Sequence, residues 1–109
     1  MDTRQERVGK NEVLFRDVNE RIKDINRDMG FDEGADFICE CGNGECTAPI
    51  TLRLLEYEGV RAYPTRFAIF PGHEILDVER VIEKNERFAV VEKSPAAAAQ
   101  IAIDHDPRA

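Results

Sequence analysis

The sequence predicts an α+β domain: a long N-terminal amphipathic helix, a small antiparallel sheet carrying a cysteine-rich loop, a short second helix and a C-terminal helix. Three observations predict it. Apolar residues recur at helical spacing from Leu14 to Met29, three cysteines fall within the single stretch Cys39–Cys46, and short apolar runs bounded by Pro, Gly and Asn fill the second half. With 109 residues, no internal repeat and no linker long enough to divide it, the chain forms one domain over 1–109. Residues 1–30 make the first helix and 94–109 the closing helix and tail.

The first helix rests on Leu14, Val18, Ile22, Ile25 and Met29, which share one face, with Phe15 beside them. The natural expectation is that this stripe packs inward within the molecule; the alternative is that it is buried partly in a dimer. Glu12 with Arg16 and Asp17 with Arg21 stand at i,i+4, acid first, and are expected to pair along the other faces. Thr3 with Glu6 has the spacing of a capping box, Gly9 weakens the opening turns, and Gly30 supplies a left-handed stop against which Phe31 folds back. An acidic connection over 32–36 leads to a short strand at Phe37-Ile38-Cys39. After the Gly42-Asn43-Gly44 turn, a strand returns at Pro49-Ile50-Thr51-Leu52. Leu54, Leu55, Tyr57 and Val60 predict the second helix, ended by Pro64. Residues 66–70 form a strand stopped by Pro71-Gly72, and 78–83 with 88–92 an antiparallel pair. Ser94-Pro95 then caps a closing helix over 96–103.

The chain is 42% hydrophobic and 34% charged, with a net charge of −7 and a pI near 4.8. Such a balance argues against a nucleic-acid binder, which gains affinity by replacing counterions with Lys and Arg. No apolar run approaches the roughly 20 residues that cross a bilayer, and the N-terminus has no apolar signal core, so no membrane role and a cytoplasmic location are expected.

The chemistry lies in Cys39-Glu40-Cys41-Gly42-Asn43-Gly44-Glu45-Cys46. On extended backbone, residues i and i+2 point to one side, which brings the sulfurs of Cys39 and Cys41 together. Gly42, Asn43 and Gly44 tolerate positive φ, so the loop can reverse and return Cys46 to the same point. Three thiolates in one loop favour a soft or borderline cation, zinc above others. The fourth ligand is expected to be His73, projected by the Pro71-Gly72 turn; His105 in the frayed tail, an acidic residue or a water are the alternatives. Asp36, Glu40 and Glu45 crowd the thiols with negative charge, which disfavours thiolates in the metal-free loop and favours a quiet structural site.

The order Asn11-Glu12, Leu14-Phe15-Arg16-Asp17-Val18-Asn19-Glu20-Arg21-Ile22, then F-I-C-E-C-x4-C, Leu55-Glu56-Tyr57-Glu58-Gly59-Val60-Arg61, Pro64, Arg66-Phe67, Pro71-Gly72-His73 and Val90-Val91-Glu92-Lys93 resembles a family of small uncharacterised bacterial proteins. The resemblance runs over residues 10–93. It implies that Cys39, Cys41, Cys46 and His73 form one set, and it implies no activity. The ligand types also resemble the CDGSH iron–sulfur proteins. However, Cys46 is not followed by their Asp-Gly-Ser-His run, and His73 stands 27 residues beyond it.

No H-E-x-x-H, no zinc-deaminase pattern, no phosphate-binding Gly loop and no G-x-S-x-G elbow is present, and the single serine, Ser94, is a helix cap. Glu40, Glu45 and Glu74 are the acids near enough in sequence to serve a catalytic metal. Arg61, Tyr63, Arg66 and Phe67 form a candidate basic-aromatic patch, expected instead to be core and paired charges. The leading expectation is a non-enzymatic zinc protein with a Cys3His structural site, presenting a surface to a protein partner or to its own copy through the first helix. The alternatives are a redox or electron-transfer protein, with a [2Fe–2S] cluster or a zinc–thiolate switch, and last a nucleic-acid-binding zinc module.

Overall fold

The computed structural model describes residues 3–30, 34–46, 48–76, 78–94 and 96–108, without the side chains of residues 3–6 and 96–98. The elements run α1 (Thr3–Asp28), β1 (Ala35–Ile38), β2 (Pro49–Leu52), α2 (Leu54–Arg61), β3 (Arg66–Ile69), β4 (Glu79–Lys84), β5 (Ala89–Lys93) and α3 (Ala96–Asp104). Every predicted helix and strand is present, displaced by at most a few residues. Gly30 does adopt positive φ (77°) just beyond the end of α1. The Thr3/Glu6 capping box, the Phe31 contact and Pro95 lie outside the described residues.

The strands divide into two antiparallel sheets instead of one. β1 pairs with β2 as a hairpin, and β5 lies between β3 and β4. Alternation along the three-stranded sheet gives it two buried faces. One carries Ala68 and Val90 against Phe37, Ile50 and Leu52 of the hairpin and Tyr57 and Val60 of α2, with Phe37 stacked on Tyr57 at 4.6 Å. The other carries Phe67, Ile69, Ala89 and Val91 against Ala102 of α3 and against Cys39 and Cys41. The cysteine loop is therefore seated on the core.

α1 packs in the opposite sense from its apolar pattern. Leu14, Ile25 and Met29 are 56%, 59% and 62% exposed, Val18 is also exposed, and only Ile22 of the stripe reaches the core. The face turned inward carries Glu12, Arg16 and Asn19, all fully buried. Each has found a partner that the interior supplies. Arg16 donates from Nη1 to the Pro64 carbonyl (2.7 Å) and from Nη2 to the Ala102 carbonyl (2.8 Å), with its guanidinium over the Phe67 ring. Glu12 bonds the Lys93 ammonium, which also donates to Glu79 Oε1 at 3.0 Å. The expected Glu12–Arg16 pair is absent because both groups are claimed by β5, α3 and the turn before β3. A buried charge is retained only when paired, and these pairs therefore override the apolar stripe in setting the rotation of α1.

The C-terminal tail is tied down, contrary to the expectation of fraying. Buried Arg61 binds Glu20 and Asp106, and Arg108 makes paired bonds to both Glu20 and Glu58.

Glu12 has one carboxylate oxygen buried without a partner, and burial, with Glu79 alongside, pushes its carboxyl well above the usual carboxylate range against the pull of Lys93. A carboxyl that holds its proton more tightly when folded contributes stability fully below the ordinary carboxylate range, and loses it as pH rises through the elevated value. Glu12→Gln removes that titration. Its denaturation midpoint should therefore gain on the parent as pH rises above the ordinary carboxylate range; a pH-independent difference would refute the assignment.

Candidate metal centre

The loop from Cys39 to Ala48 is positioned by its backbone. The Cys39 N–H donates to the Ala48 carbonyl at 3.0 Å, and the Glu40 N–H crosses to the Ala68 carbonyl at 2.9 Å. The side chain of Glu40 points opposite to Cys39 and Cys41, fully buried, accepting from the Ala68 N–H (2.9 Å) and from Asn19 Nδ2 (2.7 Å). Burial raises its carboxyl to about 7 even though both bonds favour the charged form. Asn19 completes the clamp: its carboxamide donates to the Ile38 carbonyl (2.8 Å) and accepts from the Ile38 N–H (2.9 Å).

Asn43 makes the reversal. Its side-chain oxygen accepts from the Glu45 N–H and its carbonyl from the Cys46 N–H, each at 3.0 Å. Positive φ is not what the glycines supply here, since among the described residues only Gly30 and Gly72 adopt it. Gly42 is required for close approach instead. A Cβ there would stand 2.2 Å from Val8 Cγ1 of α1, while the Gly42 carbonyl accepts from Asn11 Nδ2 at 3.0 Å.

The second half of the site is the turn Phe70-Pro71-Gly72-His73. The His73 N–H donates to the Phe70 carbonyl at 3.0 Å, and Gly72 has φ 94°, the positive angle that a type II turn with proline in second position demands. Both ends of the turn grip the cluster. The Phe70 N–H donates to Cys39 Sγ at 3.1 Å, and His73 Nδ1 lies 3.7 Å from Cys39 Sγ and 3.5 Å from Cys46 Sγ.

The donor atoms of Cys39, Cys41, Cys46 and His73 all lie within 4.8 Å of one another. A tetrahedral ion with sulfur at about 2.3 Å and nitrogen at about 2.0–2.1 Å places sulfur and nitrogen about 3.6 Å apart. The two measured separations bracket that value, so the residues fit a single ion of this kind. The donor set suits it as well, since the backbone N–H of Phe70 already donates to Cys39 Sγ and so favours its charged form. The neighbouring Cys41 thiol and burial both push the Cys39 thiol up, while Cys39 holds Cys41 below the ordinary thiol range, to about 5, against the opposing effect of burial.

The remaining candidates fall elsewhere. His105 is exposed at the end of α3 and outside the cluster. Asp36 is exposed and accepts from Thr51 Oγ1, and Glu40 faces away, so neither of these two acids crowds the thiols; Glu45 is exposed. Phe67 is core, Arg61 is buried among acids, and Arg66 lies over Tyr63 beside Glu92, which dissolves the basic-aromatic patch. A cleft of about 260 Å³ opens beside the cluster, lined by Cys41, Asn43, Gly72, His73, Glu74 and Ile75. Asn11, Asn19 and the N–H donors were not singled out in the sequence. The signal for Glu40 was available, because the alternation that pairs Cys39 with Cys41 sends the residue between them to the other side.

Gly42→Ala should cost about 1–3 kcal/mol, the range of an overpacked interior site, measured by chemical denaturation. Gly44→Ala, whose methyl meets only the Asn11 amide at 3.4 Å, should cost less. Equal costs would show that α1 does not pack on Gly42 as described. No protein-family model, no curated protein and no solved structure matches this chain.

Proposed function

We propose that this chain is a non-enzymatic zinc-binding protein of the cytoplasm. Cys39, Cys41, Cys46 and His73 hold one Zn2+ in a structural Cys3His site, and the stapled domain serves as a protein-interaction or regulatory module. The observation that carries this reading is the convergence of four donor atoms within 4.8 Å from two separate segments. Three sulfurs and one imidazole nitrogen are the donor set that zinc favours, and four protein ligands leave no position for a reacting group. His73 uses Nδ1, so its proton resides on Nε2 in the ligating tautomer. A two-iron cluster needs its ligands in two pairs held apart by the cluster's length, and the compass of these four atoms suits a single ion better. The three cysteines are unpaired, which accords with a reducing compartment. No helix among the described residues is long and apolar enough to cross a membrane.

The cleft beside Cys41 and the partial exposure of Cys46 favour one second reading, a redox-sensitive zinc–thiolate site. A peroxide reaching the cleft would take two electrons from the thiolates of Cys41 and Cys46. With two protons it would leave a disulfide and two waters (or an alcohol and water), and the metal would depart.

Elemental analysis of the purified chain, with its visible absorption spectrum, tests the main reading. One zinc per chain and no colour is expected. Cys39→Ser and Cys46→Ser should lose the metal, His73→Ala should weaken it less, and His105→Ala should leave it unchanged. Iron with visible absorption, or full zinc in Cys46→Ser, would overturn the assignment.

A further inference from the structure

The inward rotation of α1 leaves an apolar stripe exposed on its outer face. Leu14, Val18, Ile25 and Met29 run along roughly 22 Å of helix at 1.5 Å rise per residue, all exposed. Contiguous apolar surface on one helix face is the kind of feature by which proteins dock a partner. The charges that border it say what covers it. Lys10, Asp17, Arg21 and Asp28 are exposed on the same side of the helix, and neither Asp17 nor Arg21 has an ion-pair partner among the described residues.

We propose that the outer face of α1 is the interface of a two-fold symmetric dimer of this chain, with the two helices antiparallel. A parallel, in-register pair would set Arg21 against Arg21 and Asp28 against Asp28, which repeat the heptad position of Leu14, and like charges across a seam are destabilising. An antiparallel pair crossing at the level of Asn19 and Glu20, halfway between Leu14 and Ile25, removes every one of those clashes. Leu14 then faces the partner's Ile25, Arg21 stands beside the partner's Asp17, and Lys10 beside the partner's Asp28. Two-fold symmetry makes each of these contacts twice. One helix face is smaller than the roughly 800 Å² per partner of a standard stable interface, so the dimer forms with a concentration-dependent mass.

The test is sedimentation velocity of the full zinc-loaded chain from micromolar to millimolar concentration. The mass should rise from 12.4 kDa toward twice that value. Leu14→Glu and Ile25→Glu should hold it at the monomer, with metal content and far-UV circular dichroism unchanged because both side chains are exposed. Asp17→Arg or Arg21→Asp alone should raise the dissociation constant roughly tenfold. The double exchange Asp17→Arg with Arg21→Asp should restore it, which loss of helix stability alone would not. A mass of 12.4 kDa at every concentration overturns the proposal. So does a dimer indifferent to Leu14→Glu, a double exchange that fails to rescue, or a monomer that floats with anionic lipid vesicles.

Discussion

The Asn19 carboxamide fixes where the cysteine loop begins, and much of the site's geometry depends on it. By binding both polar groups of the Ile38 backbone it acts as a short extra strand at the end of β1. Its remaining hydrogen meets Glu40, whose other oxygen holds the Ala68 N–H of β3. One side chain of α1 thereby ties the hairpin to the three-stranded sheet. The sheet carries the Phe70–His73 turn directly after β3, so His73 is placed relative to the cysteines by the same clamp. Two turns earlier on the helix, Asn11 holds the Gly42 carbonyl and Val8 fills the space beside it. The loop is a structure held from outside by α1 as much as by its own turns.

This explains why α1 shows two stripes of helical spacing. Leu14, Val18, Ile22, Ile25 and Met29 form the visible one, while Val8, Glu12, Arg16 and Asn19 form a second that is largely polar and buried. Periodicity reports which residues share a face and says nothing about which face turns inward. Hydrophobicity ordinarily settles that, and here it points the wrong way. The decisive signal was in β5, where Lys93 falls on the same alternating face as the core residues Ala89 and Val91. A lysine there requires buried carboxylates, and Glu12 lies on the second stripe. No pattern within α1 alone could supply that information.

The loop was legible for a different reason. Cysteine spacing and the Pro-Gly turn are local, and local geometry is what a sequence specifies most directly. The predicted strands and helices held for the same reason, while the division into two sheets depends on contacts between distant segments. The glycines show the limit. Gly72 is where backbone angle demands glycine, and Gly42 is where a neighbouring helix does; in the sequence the two are indistinguishable. The carboxylates show it again, since Asp36 and Glu40 are close to the thiols along the chain and both find their partners elsewhere in the fold.

The ligands come from two places, the hairpin loop and the turn after β3, with Cys46 and His73 separated by 27 positions. An ion bound to both would close α2 and β3 into a ring, as a covalent cross-link would. Ring closure over that length removes disorder from the unfolded chain equivalent to about 3.6 kcal/mol on the chain-entropy model. Such a ring resists opening as a unit: α2 could not peel from the sheet without its ends remaining pinned. Chelation would therefore loosen the segment most remote from the sulfurs along the chain, and hydrogen exchange in α2 would report occupancy at a site that α2 does not line.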